Sequence, residues 1–304
     1  MRIVPCVANP RIHALAESPF WDSARHQLLW VDIERGDVFA GTLGTDGLLA
    51  IAEQVSLGGR VGAVAAARDG GWIIAADEGL TLRARDGQPR VWMRILDSHG
   101  ARRLNDGKPD PEGRYLVGTL SLADPSESEQ LFVVDRHDSV RVVDHDLTQS
   151  NGLAWSPDGR LLYSVDTLRR RIYVRPYDAR STQWGSRELF TETVGDAYPD
   201  GICTDADGHL WVAMWGGGEV RRYSPFGDFV DSIEVPAPHI SSVAFAGPLL
   251  DTLVITTARH GLSPEQIARY PDSGKIFTCQ PGVLGITQSL WHGATGEPAM
   301  RAAP

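Results

Sequence analysis

A turn of acidic and glycine residues leading into an apolar or aromatic strand recurs along this 304-residue chain, and nothing else limits its possible folds so tightly. Five segments share it: WDSARHQLLWVDI, ARDGGWIIAA, DPEGRYLVGTL, SPDGRLLYSVD and DADGHLWVAMW. A sixth, GPLLDTLVITTA, keeps the strand and loses the acidic turn. Aligned on Trp30, Trp72, Tyr115, Tyr163, Trp211 and Val254, the copies lie 42, 43, 48, 48 and 43 residues apart. A period in the forties with several short β runs per copy is that of four-stranded propeller blades. Six units cover nearly the whole chain, and no Ser-rich, Pro-rich or charge-block linker divides it. The expectation is an all-β, six-bladed β-propeller occupying residues 1–304 as one domain.

Within a copy, short alternating runs broken by Gly or Pro every 8–12 residues read as antiparallel strands. Glycine, 32 residues against about 21 for an average chain of this length, supplies the turns this architecture needs. The aromatic residues at the repeat positions read as core. PEQIARY, near residue 267, offers at most one or two helical turns, and Gly216-Gly217-Gly218 reads as a hairpin. The N-terminal RIVPCVA is expected to pair with the last blade, because a ring needs its ends fastened and an open edge strand is a liability. Arg169-Arg170-Arg171 reads as a solvated edge, and the nine dispersed histidines as turn or surface residues.

A net charge of −10 repels phosphate backbones and anionic lipid, which argues against nucleic-acid and membrane partners. No run approaches the roughly 18 apolar residues of a membrane span, and MRIVPCVANPRIH lacks the apolar core of a secretion signal. Cys6, Cys203 and Cys279 form neither a CxxC pair nor a disulfide framework, which suits a reducing cytoplasm. The signatures of serine hydrolases, zincins and P-loop proteins are missing. Gly58-Gly59 with Gly62 has no βαβ context and reads as strand-edge packing.

The chemistry lies at matching places in successive copies. Glu17, Asn105, Asn151 and Asp200 each stand nine residues before the residue that follows the turn (His26, Arg114, Arg160 and His209). Each therefore begins the same strand of its blade, and a propeller gathers such positions around its central channel. Two carboxylates and two amides meeting there would be costly without a cation between them. Oxygen donors suit calcium, magnesium or manganese, with zinc admissible through the carboxylates. Asn-Gly and Asp-Gly are also common turn formers, so spacing alone leaves the metal reading and a plain turn reading both open.

The motifs Glu17-Ser18-Pro19-Phe20-Trp21, Arg103-Leu104-Asn105-Asp106-Gly107-Lys108, Ser150-Asn151-Gly152 and Pro199-Asp200-Gly201 resemble the SMP-30/gluconolactonase family, in the family's order, from about residue 12 to about residue 290. Gly208-His209-Leu210-Trp211 and Leu29-Trp30-Val31-Asp32 add to the match. The resemblance implies that Glu17, Asn151 and Asp200 bind one divalent metal, that Asn105 lies beside it, and that Arg103 contacts substrate. It implies a metal-dependent lactonase opening a small-molecule sugar lactone to the free acid. Asp200 is the candidate general base as well as ligand, because a carboxylate next to the reacting water can accept its proton, and a monomer or weak homo-oligomer is expected. A phosphotriesterase-like hydrolase and a non-enzymatic calcium-binding propeller are the alternatives. Residues 121–129 depart from the family: apolar residues come first where a polar loop often overhangs the channel, which leaves open the substrate held and whether Glu127 or Glu129 substitutes.

Overall fold

The computed structural model describes residues 3–97, 99–123, 127–135, 137–181 and 184–294. Twenty-four strands form six separate sheets of four antiparallel strands each. The innermost strands are Ala16–Asp22, Val61–Ala66, Arg102–Pro109, Ser150–Trp155, Tyr198–Thr204 and Ile240–Ala246, one per blade. Each packs against the innermost strand of the next blade, and the sixth returns to the first, which makes a closed six-bladed propeller. The six aligned repeat residues all fall on second strands, and all are buried, from Trp30 to Val254. The repeat is therefore the spacing between equivalent strands of neighbouring blades.

The ring is fastened as the N-terminal sequence suggests. Cys6–Asn9 pairs with Ile276–Cys279 as the outermost strand of blade six, with Cys6 opposite Thr278. An N-terminal strand thus completes the sheet of the last blade and closes the ring. Ser241 adds a bond across the seam, donating to the Ala16 carbonyl at 2.6 Å. At the far end of the ring, the chain after blade six crosses beneath it. It bridges Gly285 to Asp205 and Trp291 to Ala67. The single helix among the described residues, Pro264–Arg269, has one turn and a half, and no helix is long and apolar enough to cross a membrane.

Two kinds of aspartate explain why the hairpins repeat. Asp110 and Asp205 follow an innermost strand and take backbone N–H groups of the turn, at 2.8 Å from Arg114 and 2.8 Å from His209. Asp32 and Asp166 end second strands and take N–H groups of the segment just before an innermost strand. Asp32 holds Ala14 and Leu15 at 2.9 and 3.1 Å, and Asp166 holds Thr148 and Gln149 at 3.0 and 3.3 Å. A buried carboxylate satisfied by several donors is a stiff anchor. These two anchors fix the chain immediately upstream of Glu17 and Asn151.

Two expectations change. Arg169 and Arg170 are engaged, Arg169 meeting Asp166 and Glu127 at 3.2 Å and Arg170 lying 4.6 Å over the Tyr198 ring, whereas Arg171 meets Glu192 at 3.0 Å and stays partly solvent-exposed. His13 is buried rather than exposed, because Trp30 Nε1 and the Gly274 carbonyl give it both a donor and an acceptor, at 3.1 and 2.9 Å.

Candidate functional site

Every innermost strand carries an irregularity in its pairing near its start. The slips fall between Glu17 and Phe20, Val61 and Ala63, Leu104 and Gly107, Ser150 and Leu153, Pro199 and Ile202, and Ile240 and Ser242. A bulge gives the strand one residue more than its partner and re-aims the side chains beside it. Glu17, Asn105, Asn151 and Asp200 all sit in these bulges, so the turn reading of Asn151-Gly152 and Asp200-Gly201 is replaced. The glycine after each is needed for contact: a Cβ on Gly152 would stand 2.5 Å from the Asp200 carbonyl oxygen.

The four residues, together with Arg103, line one cavity of about 400 Å³. Leu15, Ile33, Leu120, Leu168, Tyr198 and Trp215 form much of its wall. All five polar side chains are at least nine-tenths buried. Arg103 Nη1 donates to Asn105 Oδ1 at 2.7 Å, and Asn105 Nδ2 donates to the Ser150 carbonyl at 2.9 Å and to Asn151 Oδ1 at 3.2 Å. Asn151 Nδ2 donates to Thr167 Oγ1 at 3.0 Å. Glu17 accepts the Ser18 backbone N–H.

Both N–H groups of the Asn105 amide and one of the Asn151 amide are thereby used inside the protein. The oxygens this set can offer a ligand are the carboxylates of Glu17 and Asp200 and a lone pair on Asn151 Oδ1. Burial pushes the Glu17 and Asp200 carboxyls well above the usual carboxylate range, and each is raised further by neighbouring acids: Asp200 and Asp106 for Glu17, Asp106 for Asp200. Arg103 opposes the rise, and burial lowers its own pKa to about 10. A dense group of buried, mutually repelling carboxyls fits a hard divalent cation, which takes oxygen ligands and cancels the repulsion.

Two residues of the site escape sequence reasoning. Asp106 is buried in the same bulge as Asn105, and its carboxyl is raised by burial and lowered by Lys108. Thr167 comes from the second strand's turn in blade four, and its only sequence signal is adjacency to Asp166. Glu129 does not replace a channel residue: it is fully buried and held by Thr119 at 2.7 Å and Arg102 at 3.2 Å. Glu127 is exposed and paired with Arg169. Residues 124–126 of that loop lie outside the described residues. Asp205, Asp207 and His209 also cluster in the blade-five hairpin, but both Asp205 oxygens are occupied, by backbone N–H groups and by Trp211 and Arg222.

Fold and site together define a six-bladed propeller with an acidic, oxygen-lined channel mouth. The profile of the SMP-30/gluconolactonase/LRE-like region matches residues 15–259, and the chain belongs to this family. It is 35% identical over 289 residues to a 6-deoxy-6-sulfogluconolactonase of Pseudomonas putida, covering 92% of this chain and 95% of that one. It is 30% identical over 300 residues to regucalcin of Xenopus laevis, covering 95% and 98%. A solved structure of a calcium-binding protein, regucalcin, from Agrobacterium tumefaciens superposes with a TM-score of 0.87 at 28% identity, over 96% of this chain and 99% of that one.

Proposed function

We propose that the protein is a divalent-metal-dependent lactonase that hydrolyses a sugar-acid lactone to the free acid. The observation that carries this reading is the donor inventory at the cavity floor: buried carboxylates and an amide oxygen, with three of the four amide N–H groups already spent. Family membership and the lactonase relative support it. Glu17, Asn151 and Asp200 would hold the ion, which is calcium, zinc, magnesium or manganese. When bound, such an ion polarises an ester carbonyl and makes a neighbouring water more acidic.

The chain's own groups supply the rest. Asp200 takes the proton of the attacking water as the new C–O bond forms at the lactone carbonyl carbon. The ring C–O bond then breaks, and the ring oxygen leaves as a hydroxyl after receiving that proton. Arg103 donates to the oxygen where negative charge develops, and Asn105 orients the carbonyl. The apolar and aromatic walls exclude bulk water and suit a single small ring.

The test is a pH-stat assay over pentono- and hexonolactones, with several divalent ions added back to chelated protein. Ion-dependent acid release is expected. Ion binding without hydrolysis of any lactone would instead favour a non-enzymatic calcium-binding propeller. Hydrolysis of organophosphates alone would favour a phosphotriesterase.

A further inference from the structure

We infer that Thr167 is a positioning residue that sets which way round the Asn151 amide faces; this rests on the metal-site reading above. An asparagine amide has an oxygen end and a nitrogen end of nearly the same shape, and only the oxygen can ligate a cation. Something must therefore break the tie. Thr167 Oγ1 donates its one hydrogen to the Pro199 carbonyl at 3.0 Å. Its lone pairs are then all that it can present to Asn151, so it is the Nδ2 end that lies against it, at 3.0 Å.

The opposite end of the same chain of bonds reaches the same polarity independently. A guanidinium has donors only, so Arg103 Nη1 fixes Asn105 Oδ1 toward itself. Asn105 Nδ2 is thereby turned toward the Ser150 carbonyl and Asn151, and demands an acceptor there. Asn151 meets that demand with Oδ1. From Arg103 through Asn105, Asn151 and Thr167 to Pro199, every bond runs donor to acceptor in one direction. The last acceptor is the carbonyl of the residue preceding Asp200, which ties the orientation of one proposed ligand to the backbone of another. Thr167 is 5% exposed and touches no reacting group in this account; it acts through Asn151.

Removing the hydroxyl while keeping the shape should release this constraint. Thr167→Val leaves Asn151 Nδ2 without its acceptor and lets the amide rotate toward Asp200. Isothermal titration of the metal-free full chain with calcium, and separately with manganese, should show about a 10–100-fold weaker Kd, the usual loss when a group that orients a ligand is removed. Thr167→Ser, which retains the hydroxyl, should stay within threefold of wild type. The decisive arm repeats Thr167→Val in an Asn151→Asp background. A carboxylate presents oxygen either way round, so there the valine should change Kd less than threefold.

An equal loss in both backgrounds would show that Thr167 matters for packing and would overturn the inference, as would wild-type affinity in the single variant. Thr167→Ala carries the same comparison if valine prevents folding. Wild-type protein that binds none of these ions overturns the metal-site reading, and this inference with it.

Discussion

Four of the six blades turn a carboxylate or amide into the channel from the bulge of the innermost strand, whereas blades two and six place Gly62 and Ser241 in the corresponding bulges. The bulge itself is common to all six, so backbone geometry does not separate the two groups. The side chains do. In blade two a Cβ at Gly62 would stand 2.5 Å from the Asn105 carbonyl oxygen and 2.7 Å from that of Leu104, so the position is given over to close approach of blade three. In blade six the Ser241 hydroxyl turns to Ala16 O and to Thr256, and serves the seam where the ring closes. One repeated device thus presents the proposed binding groups in blades one, three, four and five and serves close packing and ring closure in the other two.

The largest effects should come from the first group. Asp200→Ala is expected to lower divalent-ion affinity and lactone turnover by more than about 100-fold, because it removes a proposed ligand itself rather than a group that orients one. Calorimetric titration and the lactone assay read the two losses separately; an Asp200→Ala protein with wild-type affinity would erase the distinction between the blade classes. Gly62→Ala should behave differently. Its added methyl meets backbone atoms that cannot swing aside, so about 1–3 kcal/mol of stability should be lost, read from the denaturant midpoint. Ser241→Ala leaves the buried Ala16 carbonyl without this donor and should cost about 1–3 kcal/mol, with ion affinity within threefold of wild type. A tenfold loss of affinity from Ser241→Ala would place blade six among the binding blades.

The division between the two groups also marks what a sequence can reveal. The repeat was legible because strands of successive blades must recur at equal intervals to build a ring. The positions of Glu17, Asn105, Asn151 and Asp200 were legible because the bulge lies at a constant distance from the hairpin turn. Asp106 was not, since the residue after the channel position is Ser18, Gly152 and Gly201 in the other three blades and gives no pattern to count. Thr167 was hidden for another reason: its role is a hydrogen bond between second and innermost strands, and such contacts follow from packing. The arginine run shows the same limit. Glu127 and Glu192 approach it from two remote segments and only Asp166 is local, so a local reading of charge missed most of its partners.

The smallest expected effect tests whether the closing seam is independent of the channel. His13 sits at that seam, and the Gly274 carbonyl can only accept, so Nδ1 carries the hydrogen and Nε2 receives the Trp30 N–H. Protonating Nε2 would break the second bond. Burial is the leading cause that holds His13 below its ordinary value of 6.5, with Arg11 and Arg35 acting in the same direction and Asp32 and the Gly274 bond against it. As pH falls below that value, the unfolded chain takes up the proton first, so folded stability declines until the depressed folded value is passed. One group contributes a slope of at most about 1.4 kcal/mol per pH unit. Unfolding free energies of wild type and His13→Gln, measured from pH 7.5 downward, should diverge in this sense, and the difference in slope should persist with the divalent ion held saturating at each pH. A slope difference abolished by the ion would mean that the seam and the channel titrate as one unit, and the separation of ring-closing blades from binding blades would fail.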